Sequence, residues 1–343
     1  MNGVKPTGGS KRIGWIDLAK GICIVLVVLS HVSNFVEVDY PLSVQARAFR
    51  MPLYFILSGL FFKQYEGFVG FLKRKVNKLV IPFVFFLLVT SVLPYWFLIR
   101  HEWAQLYWFA FKSFLVNRVI MFNEPIWFLL CLFEVNVLFY ILQSLAARLC
   151  ARHHAWLLLG LSLVLGYVGL SLGITQVRLP LYLDTALSAL PFFAFGWWLF
   201  RRTDFLTMSV NMKRDLAIVL LCMAVLGLLA VPAKWINNEF TIDSLWSVYP
   251  CGVAGTMMVL LVSKIIKRVP VLSFWGRYSI IILCTHYPVM SLLHAILGNR
   301  MQPGYPFFLM VLVVTLLVCH VMIHFMRRYM PHVTAQKDVI KVP

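Results

Sequence analysis

The stretch WIDLAKGICIVLVVLSHV, Trp15 to Val32, decides the fold class of this 343-residue chain. Its length is close to the roughly 20 mostly apolar residues that cross the hydrocarbon core of a bilayer as an α-helix. Yet it carries Asp17 and Lys20 near its start and His31 near its end. Ionisable groups inside a membrane span are energetically unfavourable, so we treat these three side chains as candidates for function.

The composition of the whole chain also indicates an integral membrane protein. Hydrophobic residues make up 61% of the sequence, charged residues make up 13%, and the mean hydropathy is +0.83. Soluble domains contain about 45–50% apolar residues. The formal net charge is +18, but the basic residues occur in short clusters between apolar runs. This pattern predicts membrane topology rather than a nucleic-acid partner.

Apolar runs of membrane-spanning length recur along the chain. We therefore predict an all-α, polytopic integral membrane protein with about ten transmembrane helices. The predicted helices are Ile16–Phe35, Arg47–Phe62, Leu79–Leu98, Ile126–Leu145, Trp156–Ile174, Thr185–Phe200, Leu216–Pro232, Leu245–Ser263, Ser279–Leu297 and Pro306–Phe325. In this prediction, residues 1–15 form a cytoplasmic N-terminal segment, residues 16–326 form the membrane domain, and residues 327–343 form a cytoplasmic tail.

Charge in the connecting segments predicts the orientation. The N-terminal segment and every second loop after it are rich in Lys and Arg, whereas the intervening loops are poorer in both and contain acidic residues. By the positive-inside rule, both termini are cytoplasmic, in a multi-pass protein of the cell (inner or plasma) membrane. The first span has a basic start, as a secretory signal does. No small-residue cleavage site follows it, so we interpret it as an inserted helix.

The sequence lacks the motifs of several other protein classes. No dinucleotide-binding, P-loop, nucleophile-elbow or zinc-protease motif occurs in a usable context. The seven cysteines lie mostly inside predicted spans, without a Cys-x-x-Cys pair and without a Cys/His cluster at metal-ligand spacing. We therefore predict no metal site and reduced cysteines that serve in packing.

Helix geometry places the ionisable groups of the first span toward one side. Lys20 and His31 are eleven residues apart, so they differ by about 20° around the helix and by about 16.5 Å along it. Asp17 lies about 40° from His31. A second intramembrane histidine, His286, precedes Pro288, which favours a bend in its helix. The alternative is that Asp17 and Lys20 form a pair at the membrane boundary and that both histidines are packing residues.

Five stretches, in chain order, resemble the membrane-bound acyltransferase family 3. They are IDLAKGICIVLVVLSHV (Ile16–Val32), MPLYFILSGLFF (Met51–Phe62), KVNKLVIPF (Lys75–Phe83), PIWFLLCLFE (Pro125–Glu134) and WGRYSIIILCTHYPV (Trp275–Val289). In the first stretch, a basic residue precedes a histidine by ten intervening positions, as it does in that family. Within the family, the chain is similar to the fucose 4-O-acetylase-like sugar O-acetyltransferases. It departs from the family pattern at Lys75 and Lys78, where arginine is usual.

The resemblance implies an enzyme of ten helices that transfers an acyl group to a hydroxyl of a sugar or glycopolymer. The acyl group is usually acetyl and comes from acetyl-coenzyme A, a co-substrate rather than a tightly bound cofactor. The essential histidine of the family corresponds to His31, which would act as a general base or as a covalent acyl acceptor.

The resemblance also implies a donor site near the cytoplasmic face. Four basic residues would bind the phosphates of coenzyme A: Lys20, Arg74, Lys75 and Lys78. Basic residues at this face also satisfy the positive-inside rule without any ligand. Asp17 would orient Lys20 or stabilise the N-terminus of its helix, and His286 would bind the acceptor or transfer a second proton.

A transporter or exporter of an acyl or glycan compound is the alternative prediction. Many spans with buried ionisable groups suit a transporter as well as an enzyme. A transporter forms no new covalent bond, so formation of an acylated product would distinguish the two classes.

Overall fold

A computed structural model of the protein describes residues 13–65, 67–98, 102–105, 120, 122–150, 152–233, 240–297 and 304–342. These residues form helices and no β-strand, which confirms the predicted all-α fold. The α-helices are α1 (Gly14–Val36), α2 (Ser43–Leu60), α3 (Phe68–Lys75), α4 (Ile81–Leu87), α5 (Leu93–Leu98), α6 (Trp127–Leu149), α7 (His154–Ile174), α8 (Leu183–Arg202), α9 (Met212–Leu229), α10 (Ser244–Ile266), α11 (Pro270–Arg277), α12 (Ser279–Leu297) and α13 (Tyr305–Tyr329). Two π-helical segments, Val76–Val80 and Leu88–Val92, connect α3, α4 and α5, and a short 3₁₀ segment, Glu124–Ile126, precedes α6.

Within the described part of the chain, eight helices are long and apolar enough to cross a membrane. They correspond to all the predicted spans except the second and the seventh. Those two are also helical, as α2 and α9, but each contains charged residues within its 18 positions. The charged residues are Arg47 and Arg50 in α2 and Lys213, Arg214 and Asp215 in α9. The protein is therefore a multi-pass membrane protein, and the number of ten spans stays a prediction.

The third span is not a regular α-helix. It runs over Phe68–Trp96 and includes both π segments, so it begins well before the predicted boundary. A π-helix has more residues per turn than an α-helix, so residues three apart no longer share one face. Lys75 and Lys78 diverge accordingly. The Lys75 side chain is half-buried with its Nζ 5.7 Å from the centroid of the Phe71 ring, whereas Lys78 is exposed.

Helix α1 lies among the other helices and contacts α2, α10, α11, α12 and α13. Its contact with α11 is a direct approach of two backbones. A Cβ atom added to Gly21 would lie 1.9 Å from the carbonyl oxygen of Leu272. A Cβ atom added to Gly276 would lie 1.8 Å from the carbonyl oxygen of Asp17. Only glycine fits at these positions, and this crossing fixes the depth and rotation of the helix that carries His31.

Helix α2 packs between α1 and α8. Its contact with α8 is again close, because a Cβ atom on Gly59 would lie 2.3 Å from the carbonyl oxygen of Phe193. On the side facing α1, the Cys23 thiol donates a hydrogen bond to the carbonyl oxygen of Arg50, at 3.1 Å. The two contacts hold the middle of α2 beside the first span.

The C-terminal tail docks against the first π segment. The side chain of Asn77 is fully buried. Its amide nitrogen donates to the carbonyl oxygen of Ile340 at 2.8 Å, and its oxygen accepts from two backbone N–H groups of the tail at 2.9 Å. Lys78 donates to the carbonyl oxygen of Ala335 and forms an ion pair with Asp338, both at 2.9 Å. The tail is thereby attached to the end of the third span.

Candidate active site

Two imidazole rings face each other between the first span and helix α12. The ring centroids of His31 and His286 are 5.3 Å apart, and the ring planes are inclined by 47°. The ring of Tyr287 makes an edge contact with His31, at 5.7 Å between centroids. His286 is fully buried, whereas His31 is only half-buried. The structure thus brings together the two histidines that the sequence analysis selected, from positions far apart in the chain.

A hydrogen bond to the backbone determines the tautomer of His286. Its Nδ1 lies 2.8 Å from the carbonyl oxygen of Ile282, which can only accept, so Nδ1 carries a hydrogen. In the neutral ring, the lone pair is therefore on Nε2. The Nε2 atom is buried and has no hydrogen-bond partner among the described residues. Leaving a buried acceptor unpaired is unfavourable by about 1–3 kcal/mol, so Nε2 is ready to accept a hydrogen from a neighbouring group or a ligand.

Arg50 is a site residue that the sequence analysis missed. It lies on α2 with only 7% of its surface exposed, and its charge is close enough to His31 to interact with it. The nearby hydroxyl groups of Ser30 and Tyr40 are hydrogen-bonded to each other at 2.9 Å. The sequence analysis placed the start of the second span at Arg47 and did not consider Arg50 separately. The rule that selected His31, an ionisable residue inside an apolar run, would have found it.

The start of α6 contributes a second set of polar groups near α12. The Asn123 side-chain amide donates to the carbonyl oxygen of Cys284 at 2.9 Å and to the hydroxyl of Thr90 at 3.0 Å. These bonds connect the third span to α12 two residues before His286. The next residue, Glu124, is half-buried and close enough to Tyr287 for an electrostatic interaction. In the sequence, Glu124 is only one of the acidic residues of the loops that are poorer in Lys and Arg.

Three of the four predicted donor-binding residues lie around the connection between α2 and α3. The Lys20 Nζ is 3.9 Å from the centroid of the Phe61 ring. The Arg74 guanidinium carbon is 4.4 Å from the centroid of the Tyr65 ring. Lys75 approaches Phe71, as described above. Lys20 and Arg74 therefore contact rings of the connection, and Lys75 lies near a ring of α3 that follows it.

The remaining predicted site residues have different surroundings. Lys78 binds the C-terminal tail instead of facing the same segment, because the π-helical turn rotates it away from Lys75. Asp17 is half-buried near the crossing of α1 with α11, where its main-chain oxygen faces Gly276. The roles predicted for these residues in binding stay predictions. Among the described residues, no group of three or more His, Cys, Asp or Glu side chains could hold a metal ion.

The fold and this site define a class of protein: a helical membrane protein whose first span presents an imidazole suited to proton transfer, beside a second buried imidazole. The model of a protein family described as an acyltransferase domain matches residues 13–324. The chain therefore belongs to the acyltransferase 3 family and is an acyltransferase, which confirms the family resemblance of its sequence motifs. No match was found among curated proteins or among solved structures.

Proposed function

We propose that the protein transfers an acetyl group from acetyl-coenzyme A to a hydroxyl of a sugar or glycopolymer. The observation that carries this proposal is the pairing of His31 with His286, whose ring centroids are 5.3 Å apart. His31 lies toward the end of α1, and Lys20 lies toward the start of the same helix. Transfer from the thioester to a hydroxyl requires a group that accepts a proton, and binding of the anionic nucleotide requires a cationic group. Membership of the acyltransferase family favours this enzyme over the transporter alternative.

In the proposed reaction, His31 removes the proton of the acceptor hydroxyl while the hydroxyl oxygen attacks the thioester carbonyl carbon. A carbon–oxygen bond forms, the carbon–sulfur bond breaks, and the thiolate of coenzyme A takes the proton from the imidazolium. The alternative route, in which His31 first carries the acyl group, uses the same ring and stays open. In both routes, the buried Nε2 of His286 is available to accept a hydrogen from the His31 ring or from the acceptor.

The donor is proposed to bind with its phosphates near Lys20, Arg74 and Lys75. These cations border the connection between α2 and α3. The flexible arm of coenzyme A would then extend along α1 over the roughly 16.5 Å that separate Lys20 from His31. The thioester would reach the imidazole at the other end of the arm.

This arrangement requires the start of α1 to face the cytoplasm, in the inner or plasma membrane. The excess of Lys and Arg in alternate loops supports this orientation and cytoplasmic termini. We expect a cysteine introduced at Glu37 to react with an impermeant thiol reagent added outside intact cells, and a cysteine introduced at Lys73 to react only after the membrane is opened. The opposite labelling pattern would show that the donor site faces outward.

The test of the proposed function is product formation by the purified protein in detergent. Incubation with acetyl-coenzyme A labelled in the acetyl group and with a panel of sugars and glycopolymers is expected to give a labelled ester and free coenzyme A. A transporter would form neither product. Failure with every acceptor and every acyl-coenzyme A tested would contradict the proposal.

A prediction about the donor follows from the cationic cluster. We expect Lys20→Ala and Lys75→Ala each to raise the KM for acetyl-coenzyme A by about tenfold, which corresponds to about 1.4 kcal/mol, with less effect on kcat. The reason is the loss of a charged contact to phosphate. Lys78→Ala should have a smaller effect, because Lys78 must first leave Asp338 to reach the donor.

A short acetyl thioester without the nucleotide provides the matched control for these variants. Its KM should be the same for wild type, Lys20→Ala and Lys75→Ala, since it has no phosphate to lose. If the substitutions left the KM for acetyl-coenzyme A unchanged and only lowered thermal stability, Lys20 would be a boundary residue, as the alternative interpretation holds.

A further inference from the structure

Arg50 is a buried cation whose nitrogen atoms are incompletely bonded. Only 7% of its surface is exposed, and neither Nε nor Nη1 has a hydrogen-bond acceptor among the described residues. Its ionisable neighbours are Tyr40, Arg47, Cys23 and His31, and none of these is a carboxylate. An arginine stays protonated in proteins, so this site holds a positive charge without an anionic partner from the described residues.

The neighbouring Arg47 differs from Arg50 in its ionic partner. Arg47, one turn earlier on α2, forms an ion pair with Asp39 at 2.7 Å, and the Asp39 side chain is largely exposed. The Arg47 side chain is itself only 16% exposed, but it has the anionic partner that Arg50 lacks among the described residues. A buried, unpaired charge is unfavourable by several kcal/mol, so its presence indicates that a ligand supplies the missing acceptor.

The packing of α1 against α2 directs the Arg50 side chain toward His31. The hydrogen bond from the Cys23 thiol to the Arg50 carbonyl oxygen places the two backbones side by side. Side chains on a helix lean toward its N-terminus. The N-terminus of α2 follows the connection from α1. In this connection, Tyr40 is hydrogen-bonded to Ser30 of α1. The guanidinium of Arg50 thus leans toward Ser30, which precedes His31.

We propose that Arg50 is a further catalytic residue, whose guanidinium donates hydrogen bonds to the carbonyl oxygen of the acyl thioester as negative charge develops on it. The inference rests on the proposed acyl transfer. It assigns to Arg50 a role that His31 cannot fill, because an imidazole that accepts a proton from the hydroxyl cannot also neutralise the carbonyl oxygen. Arg50 in turn cannot act as a base, since it does not lose its proton.

Each bond that forms in the proposed step is matched by a bond that breaks. As the acceptor oxygen bonds to the carbonyl carbon, its proton passes to His31 and the π electron pair of the carbonyl moves onto oxygen. The N–H groups of Arg50 donate to this oxyanion. When the electron pair on the oxyanion re-forms the carbonyl, the carbon–sulfur bond breaks and the thiolate leaves with the electron pair of that bond. The proton on His31 then neutralises the thiolate. Arg50 is unchanged at the end of the cycle.

The experiment compares Arg50→Gln, Arg50→Lys and the matched control Arg47→Gln in purified protein. Removing one oxyanion donor typically lowers kcat by about 10²–10³-fold. We expect a fall of this size in Arg50→Gln, with the KM for acetyl-coenzyme A within about threefold of wild type. Arg50→Lys should lose at least tenfold in kcat, because a shorter, single ammonium does not reproduce the planar donor pair. Arg47→Gln should turn over like wild type.

The outcomes separate this inference from the proposed function. Absence of transfer in wild type would overturn the proposed function itself. Transfer in wild type with a kcat for Arg50→Gln within threefold would overturn the role of Arg50. A raised KM for the acceptor with kcat retained would also overturn it, because Arg50 would then bind the acceptor in the ground state. If Arg50→Gln does not fold, a kcat for Arg50→Lys within threefold of wild type would be the contradicting result.

Discussion

His31→Gln is expected to abolish acyl transfer while the protein stays folded in the membrane. Loss of a general base typically lowers the rate by about 10²–10⁴-fold, and glutamine cannot accept a proton at physiological pH. The substitution keeps a polar side chain of similar size beside His286 and Tyr287. The chemistry is thus removed with little change in packing. The measurement is kcat/KM with labelled acetyl-coenzyme A, alongside thermal unfolding in detergent.

His320→Gln is the matched control for this prediction. His320 lies on α13, and its Nδ1 accepts a hydrogen bond from the Trp275 indole at 3.0 Å. It is also a histidine within a predicted span but is not paired with His31. Its replacement should lower activity by less than threefold. Turnover close to wild type in His31→Gln would show that another group accepts the hydroxyl proton.

Gly276→Ala is expected to prevent the assembly of the helices around α1. The added Cβ would lie 1.8 Å from the carbonyl oxygen of Asp17 and close to the backbone nitrogen of Gly21, at 2.6 Å. Both neighbours are backbone atoms, which cannot move aside as a flexible side chain can. Overpacking of this kind is unfavourable by about 1–3 kcal/mol or more. We expect loss of the monodisperse protein peak in size-exclusion chromatography and a lower melting temperature.

Two glycines on other helices serve as controls. Gly160 on α7 and Gly227 on α9 have no atom within 4 Å of an added Cβ. Because alanine favours a helix over glycine by about 1 kcal/mol, Gly160→Ala and Gly227→Ala should leave the protein as stable as wild type or slightly more so. If Gly276→Ala behaved as these controls do, α1 and α11 would not approach each other as closely as described.

Hydropathy alone predicted most of the fold, because a bilayer imposes one length and one polarity on every span that crosses it. The exceptions are instructive. Helix α2 falls outside the most apolar group partly because it contains Arg47 and Arg50, and Arg50 lies close to His31. A charged residue that weakens the prediction of a span can thus also be a candidate for its function.

The sequence could not predict which residues meet. Helical periodicity places Lys20 and His31 along one side of α1, but it contains no information on a contact between His31 and His286. Lys75 and Lys78 were expected to bind the donor together because their segment resembles a basic motif of the family. The π-helical segment Val76–Val80 changes the angle between the two side chains around the helix axis. Hydrophobic periodicity did not predict this π-helical segment.

The position of α1 among the last helices has a consequence for biosynthesis. His31 and His286 are 286 − 31 = 255 residues apart in the chain. At about 5–20 residues per second, a ribosome needs about 10–50 s to make the chain between them. For most of that time α1 exists without α10, α11, α12 and α13, which contact it in the finished protein and are made only from residue 244 onward. A chain that stops before α11 therefore contains His31 without His286, and only the last quarter of translation completes the candidate active site.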